Sequence, residues 1–291
     1  MTAHLESIRE VVRRALAEDC SLGDVTTTAL FPKPVAARAT IIAEQPDGLV
    51  VAGLSVAVEV FAQVDPTLEC MASLADGDRA TRGTIILTIT GDGRSMLKGE
   101  RVALNFLQRL SGIATLTAKF CEAVKGYRVK IVDTRKTTPG LRFLEKWAVT
   151  LGGGYDHRQS LADGILIKDN HLALADGDVA RSCRLARERA PHGLKIEVEV
   201  QTLDEVRAAL DGRSDIILLD NMDLISIRKA VDVIKGQALI EVSGGVTLAN
   251  VREIAAAGPD LISIGALTHS APAVNLSIDI VPVRSRRSKK R

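Results

Sequence analysis

Beyond Gly126 the chain alternates short apolar runs with helical stretches, and this rhythm constrains the fold more than any other feature. The runs are Val129–Val132, Ile165–Ile167, Ile196–Val200, Ile216–Leu219, Leu239–Val242 and Leu261–Ile264. Near-continuous Ile, Val and Leu is the pattern of strands buried on both faces. Strands that alternate with helices build a parallel sheet or barrel. Six runs fall short of the roughly eight strands of a complete barrel, so the pattern predicts an incomplete barrel or an open sheet. Aromatic residues are only 3% of the chain, which leaves the core to aliphatic side chains.

The first third reads differently. Leu5, Ile8, Val12 and Ala15 recur at steps of three and four and predict an amphipathic helix. Ser21 to Thr27 reads as a polar loop. Extended stretches follow at Ala39–Ala43, Leu49–Ala52, Leu68–Leu74 and Thr84–Thr90, with a helical segment over Ser55–Val64. Turn residues such as Pro46-Asp47-Gly48 and Gly91-Asp92-Gly93 bound them. This predicts a small α+β unit with a mostly antiparallel sheet. A helical region from Ser95 to Val124, interrupted near Gly112, joins it to the second pattern. A length of 291 residues suits one large or two ordinary domains.

Several classes are disfavoured. No apolar run approaches the ~18–20 residues of a membrane helix, and Met1–Asp19 lacks the unbroken apolar centre of a signal peptide. Cys20, Cys70, Cys121 and Cys183 are far apart and read as reduced thiols of a cytoplasmic protein. Arg284–Arg291 holds six of the 38 basic residues; the remainder has 32 against 36 acids, so the body is mildly acidic. That balance disfavours nucleic acid as a partner, and the basic run reads as a solvated tail. The phosphate-loop, dinucleotide, zinc-protease and hydrolase-elbow motifs are absent from the sequence.

Chemistry gathers where the runs end. Asp133-Thr134-Arg135-Lys136 follows the first, Lys168-Asp169-Asn170-His171 the second, Asp220-Asn221 the fourth, Ser243-Gly244-Gly245 the fifth and Gly265-Ala266 the last; the third carries Glu197 and Glu199. In parallel α/β folds these ends share one face, where ligands bind. Arg135, Lys136, Arg158 and Lys168, with His157, could hold an anion rich in carboxylate or phosphate oxygens. Glu199 and Asp220 suit a hard cation such as Mg²⁺ or the hydroxyls of a sugar. Ser243, Gly244, Gly245 and Gly265 leave backbone N–H groups bare for a phosphate. Taken singly, an Arg-Lys doublet is usually a solvated turn and a Gly-Gly a tight turn; their convergence favours a site. Strand alternation puts Glu197 and Glu199 on one face, so one of them can be a neighbour of the site rather than part of it.

These segments also resemble one family. Glu100 to Thr115 is similar to its central helix, and Asp133-Thr134-Arg135-Lys136-Thr137-Thr138-Pro139-Gly140 to its first barrel motif. Gly152-Gly153-Gly154, His157-Arg158, Leu166 to His171, Leu218 to Met222, Ser243-Gly244-Gly245 and Gly265 to Ser270 follow in the expected order. The family is quinolinate phosphoribosyltransferase, the carboxylating nicotinate-nucleotide pyrophosphorylases. The resemblance implies an α/β fold: an open N-terminal sandwich over residues 1–110, to which 273–283 return, and a seven-stranded incomplete α/β barrel over 111–272, which leaves the basic tail at 284–291. It implies Mg²⁺-dependent transfer of phosphoribosyl from phosphoribosyl pyrophosphate to quinolinate, with loss of CO₂, in a homodimer or dimer-based assembly whose partner caps each barrel mouth. By resemblance, Arg135, His157, Arg158 and Lys168 grip quinolinate, and Arg101 reaches in from the partner. Lys136 lies between the substrates, Glu199 and Asp220 bind the ribose and Mg²⁺, and Ser243, Gly244, Gly245 and Gly265 hold the 5′-phosphate. Lys136, Lys168, Glu199 and Asp220 are the catalytic candidates. Two positions depart from the family pattern: Asp156, where Asn is usual, and Val242, where Ala or Ser is.

Overall fold

The computed structural model describes residues 2–283, so the basic run 284–291 lies outside the described residues. In chain order the first elements are α1 (Thr2–Cys20), α2 (Val25–Leu30), β1 (Ala36–Ala43), β2 (Leu49–Val50), α3 (Leu54–Val64), β3 (Glu69–Ala72), β4 (Arg79–Ala80), β5 (Ile85–Asp92) and α4 (Gly93–Ala123). Next come β6 (Lys130–Val132), α5 (Arg142–Leu151), β7 (Ile165–Ile167), α6 (Asp169–Ala173), α7 (Val179–Arg189), β8 (Ile196–Val200), α8 (Leu203–Asp211) and β9 (Ile216–Asp220). The last are α9 (Leu224–Ile234), β10 (Leu239–Ser243), α10 (Val251–Ala256), β11 (Leu261–Ser263), α11 (Ala266–His269) and β12 (Leu276–Pro282). The described residues form two compact units: 2–116, 139–152 and 271–283, and 117–138 and 153–270.

The first unit is built on an antiparallel sheet of order β12-β1-β5-β3. Ala37, Ala39, Ile41 and Ala43 of β1 are buried while the residues between them are more exposed, the two-residue period of a half-buried strand. The C-terminal strand completes this sheet, pairing Leu276 with Ala43 and Pro282 with Ala37. Two expectations are corrected here. The stretch read as a loop becomes helical at Val25, because the Asp24 side chain accepts the Thr27 N–H at 2.9 Å and caps α2. Helix α4 runs unbroken through Gly112. A Cβ there would fall 2.2 Å from the Pro272 carbonyl oxygen, so this glycine permits close packing rather than ending a helix. Segment 139–152 joins the same unit: the buried Glu145 of α5 accepts from Arg109 at 2.9 Å, and Arg109 also donates to the Ala271 carbonyl.

The second unit carries the parallel sheet, in the order β6-β11-β10-β9-β8-β7. A seventh place is reduced to a single parallel bridge, Tyr155 to Val132, beyond β6. On β8, β9 and β10 the buried Val198, Ile217, Leu219, Ile240 and Val242 alternate with Glu197, Glu199, Leu218, Asp220, Glu241 and Ser243. Every polar residue of that second set thus falls on one face of the sheet. Aliphatic residues of α7 to α10, among them Val206, Ile227 and Val251, are buried. Among the described residues, no helix is long and apolar enough to cross a membrane.

Candidate active site

One hollow of about 460 Å³ opens in the second unit. It is lined by Thr134, Arg135, Lys136, His157, Arg158, Leu166, Lys168, Glu199, Leu218, Asp220, Asn221, Glu241, Ser243 and Ser263. Eight of the residues singled out from the sequence therefore meet at one place, each from the end of a strand or the turn after it. Gly244 and Gly245 follow Ser243 in the same turn. Arg101 belongs to the first unit, where it lines a hollow of about 200 Å³ with Glu18, Asp19 and Asn105.

Local chemistry explains each placement. Lys168 ends the β7 segment, where its backbone N–H donates to His171 Nδ1 at 3.0 Å and starts α6. Its ammonium donates to Glu199 Oε2 at 3.1 Å. After β6, Asp133 is fully buried and its Oδ1 accepts the His157 N–H at 2.8 Å, while its own N–H donates to the Tyr155 carbonyl. Those bonds carry the 155–158 segment to the mouth. Asp220 accepts from the Asn221 side chain at 2.8 Å, and Asn221 sits at φ 54°. Gly244 has φ +88°, and a Cβ on it would lie 2.2 Å from Asn221 Oδ1, so the turn after β10 requires glycine twice over. Asn250 ties that turn, donating to the Gly245 carbonyl at 3.0 Å. A Cβ on Gly265 would come within 2.9 Å of Lys136 Cδ, so the bare backbone there gives Lys136 its path.

The electrostatics are those of an anion site with an acidic rim. Burial, and then the like charge of Arg135, lower the pKa of Arg158. The Arg135 Nε is buried without a hydrogen-bond partner, a donor still to be matched. Behind the arginines stand His157, Glu197 and Glu241. His157 Nε2 lies 3.2 Å from Glu197 Oε2 and 3.5 Å from Glu241 Oε2, and Nδ1 accepts the Arg158 N–H at 2.8 Å. Burial opposes a charged ring, but the carboxylates of Glu197 and Glu241 beside Nε2 outweigh it and raise the His157 pKa to about 10. Burial, first of all, raises the pKa of Glu197. Nδ1 thus accepts the Arg158 N–H while Nε2 faces the buried carboxylates as a donor, so both ring nitrogens are engaged.

The ligand atoms of His157, Glu197 and Glu241 lie within 4.8 Å of one another, close enough for a metal ion. The contacts argue against one, because Nδ1 is taken by the Arg158 N–H and Nε2 faces Glu197 at 3.2 Å as a donor. Glu199 and Asp220 are partly exposed carboxylates on the hollow itself and fit a hard cation better. Glu241 is the residue that sequence reasoning missed. Its signal was a lone acid in a run, Leu239–Val242, otherwise apolar enough to be buried on both faces.

The chain is similar to known proteins along nearly its whole length. Residues 24–111 match the N-terminal domain of quinolinate phosphoribosyl transferase, and residues 113–279 match its C-terminal domain. A Bacillus subtilis protein named probable nicotinate-nucleotide pyrophosphorylase [carboxylating] is 39% identical over 95% of this chain and 94% of its own length. A Synechocystis protein of the same name is 42% identical over 91% and 90%. The crystal structure of NadC from Streptococcus pyogenes superposes with a TM-score of 0.90 at 41% identity, covering 95% of this chain and 97% of that one. With both family domains matched in order across residues 24–279, the chain belongs to the quinolinate phosphoribosyltransferase family.

Proposed function

We propose that this chain transfers the phosphoribosyl group of phosphoribosyl pyrophosphate to quinolinate, giving nicotinate mononucleotide, pyrophosphate and CO₂, a step of de novo NAD biosynthesis. The observation that carries the reading is a single hollow in which Arg135, Lys136, Arg158 and Lys168 face Glu199 and Asp220. A dicarboxylate needs the cations, and an electron-poor ribosyl centre needs the acids.

The pyridine nitrogen attacks C1 of the sugar as the C1–O bond to pyrophosphate breaks, and the leaving group takes the bonding pair. Such a centre resembles an oxocarbenium ion, so catalysis rests on positioning and on fixed charge. Arg135, Arg158 and Lys168 hold the two carboxylates. Lys136, between the substrates, offsets negative charge on the leaving group. Glu199 and Asp220 hold the ribose hydroxyls beside the developing cation. Ser243, Gly244, Gly245 and Gly265 offer a bare turn to the 5′-phosphate, supported by the steric need for glycine at 244. The C2–carboxylate bond then breaks; its electron pair stays on C2, stabilised by the cationic ring nitrogen, and a proton from solvent completes the product. Glu199 and Asp220 would hold Mg²⁺, whose charge would offset that of the pyrophosphate. The working form is a cytoplasmic homodimer in which Arg101 completes the partner's site.

Purified protein with Mg²⁺ and phosphoribosyl pyrophosphate is given quinolinate in one tube and nicotinate in another, and products are followed by chromatography. Nicotinate mononucleotide from quinolinate alone is expected. Product from nicotinate alone would reassign the anion site to a monocarboxylate.

A further inference from the structure

We propose that Glu241 is a positioning residue for quinolinate: with Glu197 it fixes the His157 ring, and through that ring the Arg158 backbone. The inference rests on the function proposed above. His157, Arg158 and Glu241 line the upper hollow and also a second one of about 550 Å³, which is further lined by strand starts such as Lys130, Ile165, Ile216 and Leu261. The ring is therefore part of a wall between two open spaces, tied in place through its two nitrogens. Nδ1 takes the Arg158 N–H at 2.8 Å, and Nε2 points at two carboxylates, 3.2 Å and 3.5 Å away.

Both ring nitrogens are thus engaged inside the protein, and the ring acts on an anion by way of Arg158. The acids beneath it are otherwise hard to account for. Glu241 is 1% exposed on β10, in register with Leu218 and Leu261, and its Oε2 has no hydrogen-bond partner of ordinary length. A carboxylate in such a place weakens a fold unless something needs it. Here it is the second acceptor that keeps the single Nε2–H from swinging away from the wall.

The test compares Glu241→Leu and Glu241→Gln with the wild type. Leucine fills the volume and removes the polar contact; glutamine keeps an oxygen for the ring. Glu241→Leu is expected to keep or raise the melting temperature and to raise KM for quinolinate at least tenfold. KM for phosphoribosyl pyrophosphate should stay within about twofold. Glu241→Gln should restore quinolinate KM to within about threefold of wild type. Nitrogen-15 spectra of the histidine rings without substrate should show the His157 Nε2 held protonated in the wild type and the Gln variant, and averaged in the Leu variant. An unchanged quinolinate KM in the Leu variant, or an equal rise in both KM values, overturns the proposal, as does a wild-type ring already averaged. A wild type inert towards quinolinate sinks the proposed function instead, and the ring spectra still decide whether Glu241 holds the ring.

Discussion

Arg158 is the residue on which most of the anion chemistry converges. Its backbone is tied to His157, its guanidinium donates to the Gly164 carbonyl at 3.3 Å, and Arg135 is near enough to lower its pKa. Two arginines set side by side in one hollow repel until an anion arrives, which makes them specific for a ligand with two carboxylates. Arg158→Ala should therefore weaken quinolinate binding by about 2–5 kcal/mol, the range for loss of a desolvated charged partner, and leave phosphoribosyl pyrophosphate affinity nearly unchanged; calorimetric titration of each ligand checks both. At this scale the sequence was highly informative wherever a polar cluster ends a strand, because parallel strands deliver their ends to one face whatever the loops do. It was silent on Glu241. A single acid inside an apolar run counts as part of the strand, and only the pairing of β8, β9 and β10 shows that it shares a face with Glu197 and Glu199.

Among the elements, α4 shows where a local signal misleads. Glycine weakens a helix interior by roughly 0.5–1 kcal/mol, so Gly112 reads as a break when only its neighbours in sequence are considered. The reason for it lies 160 positions away, in the backbone at Pro272. Gly112→Ala should lower stability by about 1–3 kcal/mol, as overpacking does, even though alanine is the better helix former; a fall in the thermal midpoint checks this, and a rise would mean that the helix has room to move. The start of α2 was missed for the opposite reason. Threonines at 26 to 28 disfavour helix locally, and the Asp24 cap outweighs them. The seventh place in the parallel sheet was not legible as a strand because it consists of one bridged residue, Tyr155.

On the scale of the whole molecule, the proposed site draws its residues unequally. All of them lie in the unit of residues 117–138 and 153–270 except Arg101, which belongs to the other unit. If Arg101 serves the site of a partner chain, Arg101→Ala and Lys168→Ala should each be nearly inactive alone and should regain activity when mixed under conditions of subunit exchange, since one hybrid site then has both residues. Failure to recover, with exchange demonstrated, would mean that the site is built within one chain. The most direct measurement follows the carbon that is lost. Quinolinate labelled at the 2-carboxylate, incubated with Mg²⁺ and phosphoribosyl pyrophosphate, should release one labelled CO₂ for each nicotinate mononucleotide formed, and none when phosphoribosyl pyrophosphate is left out. Labelled CO₂ released without phosphoribosyl pyrophosphate, or a nucleotide that retains the label, would contradict transfer followed by decarboxylation in this site.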